Sequence, residues 1–159
     1  FNMAGLQTAA ICVPDERLLH KVWRANNTDE VAEPNVFAVD AAIAAFTKGE
    51  EWLEQLRAYI YENKQITKSY VDAEIDGVSM TESKATYLCW LDVSNITDDS
   101  TKLAAYIRKE TGLYLSAGKG FGGDGRSFLR LNVACPKATL MDGLERLKTG
   151  ISAFVNSGR

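Results

Sequence analysis

A chain of 159 residues, 46% hydrophobic and 25% charged, has the composition of an ordinary globular domain or pieces of two. Its net charge of -3, with lysines and arginines scattered among acids, argues against a nucleic-acid partner. It has no apolar run of about 18 residues and no signal-peptide pattern, so no membrane partner is expected and the expected location is cytoplasmic.

In chain order, residues 6–13, LQTAAICV, form an apolar run stopped by Pro14 and Asp15, which predicts a strand. The stretch DERLLHKVWRAN then places Leu18, Leu19, Val22 and Trp23 on one helical face. Residues 26–35, NNTDEVAEPN, are polar, carry a proline and predict a loop, with Asn35 placed to cap the next element. From 36 to 63 the pattern is helical with a break near Gly49, where Phe37, Ile43 and Phe46 give way to Trp52, Leu53, Leu56, Tyr59 and Ile60. A helix there would bridge two domains.

Aromatic and β-branched content over residues 86–93 predicts a strand. Asp98, Asp99 and Ser100 supply helix N-terminal chemistry, Leu103, Tyr106 and Ile107 a face, and Gly112 a stop. LYLSAG predicts another strand, followed by a glycine-rich loop and a further strand over 128–135. Leu140, Leu144, Leu147, Ile151 and Phe154 then recur at helical spacing. From residue 65 the order is strand, helix, strand, strand, helix, an α+β arrangement with helices on one sheet face.

Several motifs have ordinary explanations. Gly118, Gly120 and Gly123 satisfy G-x-G-x-x-G, but the dinucleotide fingerprint opens a helix and this loop opens a strand. It reads as a flexible connection whose glycines allow positive φ. Cys12, Cys89 and Cys135 are far apart with apolar neighbours, the pattern of buried free thiols. His20, the lone histidine, reads as a helix-surface residue, and no metal site is expected. Two glycosylation sequons, at Asn26 and Asn95, are short enough to arise by chance. Glu50, Glu51, Glu54 and Glu62 with Arg57 and Lys64 read as a solvated helix face.

Arg130 is different. In a strand over 128–135 it shares a face with Phe128 and Asn132, while Leu129, Leu131 and Val133 face the other way. A guanidinium on a half-buried strand needs a compensating anion, since breaking a buried pair costs about 3–5 kcal/mol. That anion is either an internal carboxylate or a bound carboxylate or phosphate, and the planar fork suits bidentate carboxylate recognition.

The segments FNMAGLQTAAICVPD, EWLEQLRAYIYENK, ATYLCWLD, LYLSAGKGFGGDGRSFLRLNVACP and LMDGLERL, in that order, resemble the C-terminal part of fold-type I pyridoxal-phosphate enzymes. Within the class I/II aminotransferase family the resemblance is to bacterial C-S β-lyases of the cystathionine β-lyase and maltose-regulon modulator type. It covers nearly the whole chain. It implies an α/β parent enzyme in which residues 1–50 end the large cofactor-binding domain, 51–64 form an interdomain helix, and 65–159 form the small C-terminal domain. It also implies a Schiff-base lysine two residues before Phe1, so that these residues alone neither anchor the cofactor nor turn over substrate.

By the same resemblance Arg130 binds the α-carboxylate of a small amino-acid substrate. Such a clamp orients the Cα-H bond against the cofactor, whether a thiol is then eliminated from Cβ or an amino group transferred. Gln7 stands where classical aminotransferases place an arginine on the cofactor phosphate, a departure that leaves most phosphate binding to upstream residues. The loop at 26–35 matches a region that approaches the partner subunit, which implies a homodimer. The readings set against the β-lyase are an aminotransferase and a non-catalytic module.

Overall fold

The computed structural model describes residues 1–158; residue 159, the last of the expected small domain, lies outside the described residues. The chain divides into two compact units, residues 1–56 and residues 57 onward.

The first unit is helical. Ala4–Leu6 make a 3-10 turn that ends at Gln7 in the left-handed region, φ 52°. Residues 7–14 carry no strand, contrary to the expectation for 6–13, and nearly all are exposed. A strand exists only where a neighbour accepts its hydrogen bonds, and among the described residues none pairs with this segment. Helix α1, Glu16–Thr28, starts as its sequence dictates, with the Asp15 carboxylate accepting from Leu18 N at 2.7 Å. The helix runs three residues into the expected loop. Asn35 Oδ1 accepts from Phe37 N at 3.0 Å just ahead of helix α2, Ala38–Lys48, so Asn35 turns the chain toward that helix from two residues outside its cap. Gly49 separates α2 from helix α3, Glu50–Glu74, as its low helix propensity leads one to expect. Helix α3 continues past the predicted end at 63 and spans the division between the units.

The second unit is an α+β layer pair. Strands β1 (Ser79–Met80), β2 (Leu88–Asp92), β3 (Ser116–Ala117) and β4 (Phe128–Asn132) form an antiparallel sheet in the order β1-β2-β4-β3. β1, with its two-residue ladder, leaves no alternation for sequence reading to find. Only two residues of LYLSAG pair, because β3 is an edge strand with one neighbour. β4 stops at Asn132, whose side chain accepts from Ala134 N at 2.8 Å and turns the chain out of the ladder.

Helix α4, Ser100–Thr111, is capped by Asp99, whose carboxylate accepts from Thr101 N and Lys102 N, and ends at Gly112 with φ 76°. Helix α5 spans Lys137–Asn156. Cys89 and Leu91 of β2 and Leu129 and Leu131 of β4 join Leu103 and Ile107 of α4 and Leu144, Leu147, Ile151 and Phe154 of α5 in one buried core. The strand residues between them, Trp90, Phe128 and Arg130, are only half-buried on the opposite face. No helix among the described residues is long and apolar enough to cross a membrane.

Candidate functional site

The half-buried sheet face carries the site. Register places Trp90 directly opposite Arg130 on one side and Ser116 directly opposite it on the other. Arg130 Nη2 donates to Ser116 Oγ at 3.3 Å, and its guanidinium carbon lies 4.3 Å from the centre of the Phe121 ring. No carboxylate among the described residues forms an ion pair with Arg130; the ion pairs of the second unit lie elsewhere, on exposed side chains. Of the two anions its strand position allows, the internal one is not found among the described residues. Of the five guanidinium donors, the described residues engage one, through Ser116. Asn132 is exposed on the same face, its carboxamide oxygen already committed to Ala134 N.

The glycine-rich stretch between β3 and β4 is more tightly built than a flexible connection. It folds as two 3-10 turns, Gly118–Phe121 and Gly125–Ser127, lying against each other. A Cβ on Gly118 would meet Phe128 O at 2.6 Å and the Trp90 ring at 2.9 Å, and one on Gly125 would run into the Gly118 carbonyl. These two glycines are needed for close backbone approach. Ser100, buried at the start of α4, locks the crossing, its hydroxyl donating to Gly125 O at 3.2 Å and accepting from Lys119 N at 3.3 Å.

Two adjacent residues of α3 anchor the strands beneath the site. Asn63, fully buried, donates through Nδ2 to Val133 O at 2.9 Å and Cys135 O at 3.0 Å, fixing the chain as it leaves β4. Lys64 is only 6% exposed, which overturns its reading as part of a solvated face. Its ammonium donates to Ser83 O (2.7 Å), Ser83 Oγ (3.1 Å), Ala85 O and Thr86 O (both 3.3 Å), pinning the turn that leads into β2. A buried charge without a carboxylate is tolerable because three carbonyl dipoles and a hydroxyl replace its water. Thr86 is held there at φ 59°, a conformation few threonines adopt. The signal was available in the sequence: Ile60, Lys64, Thr67 and Val71 follow the helical stripe, so the position was apolar-facing although the residue was not.

The cysteines separate. Cys89 is buried, and burial pushes its thiol pKa up, partly offset by the Lys64 charge. Cys135 is part-buried, but Cys12 is exposed in the unpaired segment, contrary to expectation. His20 lies on the exposed surface of α1, against the Trp23 ring. Gln7 is exposed and belongs to the first unit, whereas Arg130 belongs to the second.

Residues 1–147 match the family model described as aminotransferase class I and II, and the chain belongs to that family. It is 37% identical over 152 residues to cystathionine beta-lyase PatB of Bacillus subtilis (strain 168), covering 96% of this chain and 39% of that protein. It is 31% identical over 125 residues to protein MalY of Escherichia coli (strain K12), covering 79% of this chain and 32% of that protein. Among solved structures, the PLP-bound C-S lyase from Staphylococcus hominis is similar with a TM-score of 0.82 and 28% identity, over 94% of this chain and 39% of that one. The chain thus spans roughly two fifths of the length of the relatives it matches. The α+β reading of the small sheet and its helices, and the resemblance to this family, both hold.

Proposed function

We propose that the protein to which these residues belong is a pyridoxal-phosphate-dependent C-S β-lyase of the cystathionine β-lyase type, and that Arg130 binds the α-carboxylate of its amino-acid substrate. The observation that carries the reading is a strand-borne guanidinium with no carboxylate partner among the described residues, on a face that the helices leave open. The likeness to PatB and to the C-S lyase supports the reaction class.

Bound in such an enzyme, pyridoxal phosphate supplies the electron sink for the pair left when Cα loses its proton. Arg130 holds the carboxylate through two parallel N-H···O bonds, which fixes rotation about the Cα-carboxylate axis and aims the Cα-H bond. Ser116 steadies the guanidinium from the side, and Lys64 and Asn63 hold the two central strands in register. These residues offer the cofactor itself little. Gln7 presents one neutral, exposed carboxamide, which cannot neutralise a phosphate dianion, so charge compensation falls to other residues of the enzyme.

The finer expectations belong to the same proposal. Residues 1–50 end a large domain, 51–64 link, and 65–159 form the small domain. The enzyme is a homodimer with the loop at 26–35 near the partner, and residues 1–159 alone do not retain the cofactor covalently. The exposed apolar side chains of α1 and α2 support assignment of the first unit to a larger domain. The second reading is an aminotransferase, favoured by the family as a whole; Arg130 serves either reaction equally.

The test uses the whole enzyme. Arg130→Ala is expected to lower kcat/KM for L-cystathionine by the equivalent of about 2–5 kcal/mol, through a raised KM, with cofactor absorbance unchanged. Unaltered kinetics would remove Arg130 from substrate binding. Release of pyruvate and ammonia, rather than keto-acid-dependent amino transfer, distinguishes the lyase.

A further inference from the structure

The glycine-rich stretch carries one aromatic side chain, Phe121, at the end of its first turn, and 52% of it is exposed. A phenyl ring half in water is not there for the core. The Arg130 guanidinium carbon lies over the Phe121 ring, 4.3 Å from the centroid, and the Trp90 ring stands at 90° to it with centroids 5.5 Å apart. Trp90 is held in turn by Phe128, at 89° and 5.9 Å. The backbone just before Phe121 lies against Trp90 as well, at Gly118, where only a glycine fits. The ring over the cation is therefore the end of a run of three edge-to-face rings drawn from two strands and one loop.

A guanidinium has two chemically distinct surfaces. Its faces are weakly hydrated and accept an aromatic ring, while its edge carries the five N-H donors. The Phe121 ring takes one side of the guanidinium and Ser116 takes one donor, which leaves further N-H donors for a carboxylate. Stacking also limits rotation of the long arginine side chain, whose freedom would otherwise be lost when substrate binds.

We propose that Phe121 is a positioning residue for substrate, acting through Arg130: its ring orients the guanidinium and shields one face from water so that the edge donors meet an amino-acid α-carboxylate already aligned. The proposal rests on the reading of Arg130 as the carboxylate clamp. It assigns the loop a role in ground-state recognition of carboxylate-bearing substrates, set by an aromatic face and not by loop length or side-chain volume.

The experiment measures steady-state kinetics on L-cystathionine for the whole enzyme with Phe121→Leu, Phe121→Tyr and Arg130→Ala, together with inhibition by a simple aliphatic carboxylate lacking an amino group. Phe121→Leu, which keeps an apolar side chain but removes the π face, is expected to raise KM and the carboxylate Ki in parallel, roughly three- to thirtyfold, with kcat little changed. Phe121→Tyr, which keeps the face, is expected to restore both. A role confined to packing would be met equally by Leu and Tyr. Phe121→Leu behaving like the parent while Arg130→Ala raises KM overturns this inference and leaves the clamp standing. An unchanged KM in Arg130→Ala overturns the clamp and this inference with it. Failure of Tyr to restore binding where Leu has lost it overturns the stacking argument. If Phe121→Leu does not fold, Phe121→Met takes its place with the same expected outcomes.

Discussion

Both units of this chain are built from amphipathic helices, yet only one of them has a core. In the second unit, the apolar stripes of α4 and α5 close on the sheet, and Leu103, Ile107, Leu129, Leu144, Leu147 and Phe154 are all 0–1% exposed. In the first, only Ala38 and Ala45 are buried, while Trp23 is 60% and Phe46 82% exposed. Ring contacts of Phe1 with Phe46 and Trp52, at 5.9 and 6.0 Å, are the main aromatic packing there. Amphipathicity declares that a face wants covering; it does not supply the cover. A segment with a complete stripe and no partner cannot offset its own chain entropy, whereas one that closes a layer can.

The largest expected effect divides the two outright. A chain begun at Glu50, which keeps α3 whole, should unfold cooperatively in denaturant, and residues 1–49 alone should show no cooperative transition. A sharp transition in the shorter piece would abolish the contrast. Next in size is a matched pair of truncations in residues 1–159 on their own. Leu144→Ala removes a side chain 1% exposed and should cost about 2–5 kcal/mol, while Leu18→Ala, 51% exposed, should cost no more than about 0.5 kcal/mol. Equal costs would mean that the α1 face is covered in solution.

The smallest effect lies at high pH. Burial, together with the nearby charges of Glu145 and Glu74, pushes the Tyr70 phenol up to about 12 from an ordinary value of 10.0. The folded state thus keeps a proton that the unfolded state loses, so the stabilisation is intact below pH 10 and disappears as pH rises toward 12. Tyrosinate absorbance should show one late-titrating phenol that vanishes in Tyr70→Phe. Its persistence in that variant would assign the late titration to another tyrosine.

The same contrast explains what could be read in advance. Helix starts at Asp15 and Asp99 and the stop at Gly112 were legible because a cap is a contact between residues two to four apart. The alternation through β4 was legible because one face of the strand is buried and the other is not, and β2 from its aromatic and β-branched content. The strand at 6–13 failed for the opposite reason, since its apolar content carries no information about whether a neighbour is present. Lys64 failed because residue type was trusted over position on the stripe. The loop at 118–127 was read for its glycines' freedom, when two of them serve a backbone crossing that depends on residues distant in sequence.

The sequence by itself determined where α1 and α4 begin, which face of β4 is apolar, and that an arginine would stand on its more polar face. Its resemblance to known enzymes supplied the family and a role for that arginine. Tertiary structure alone decided that no acid among the described residues pairs with Arg130, that Phe121, Trp90 and Ser116 lie about it, and that Lys64 anchors the turn beneath. The reason is physical. Caps and periodicities are fixed by bonds between near neighbours, but the surroundings of a charge are set by whichever distant backbone and rings the packed chain brings within a few ångströms.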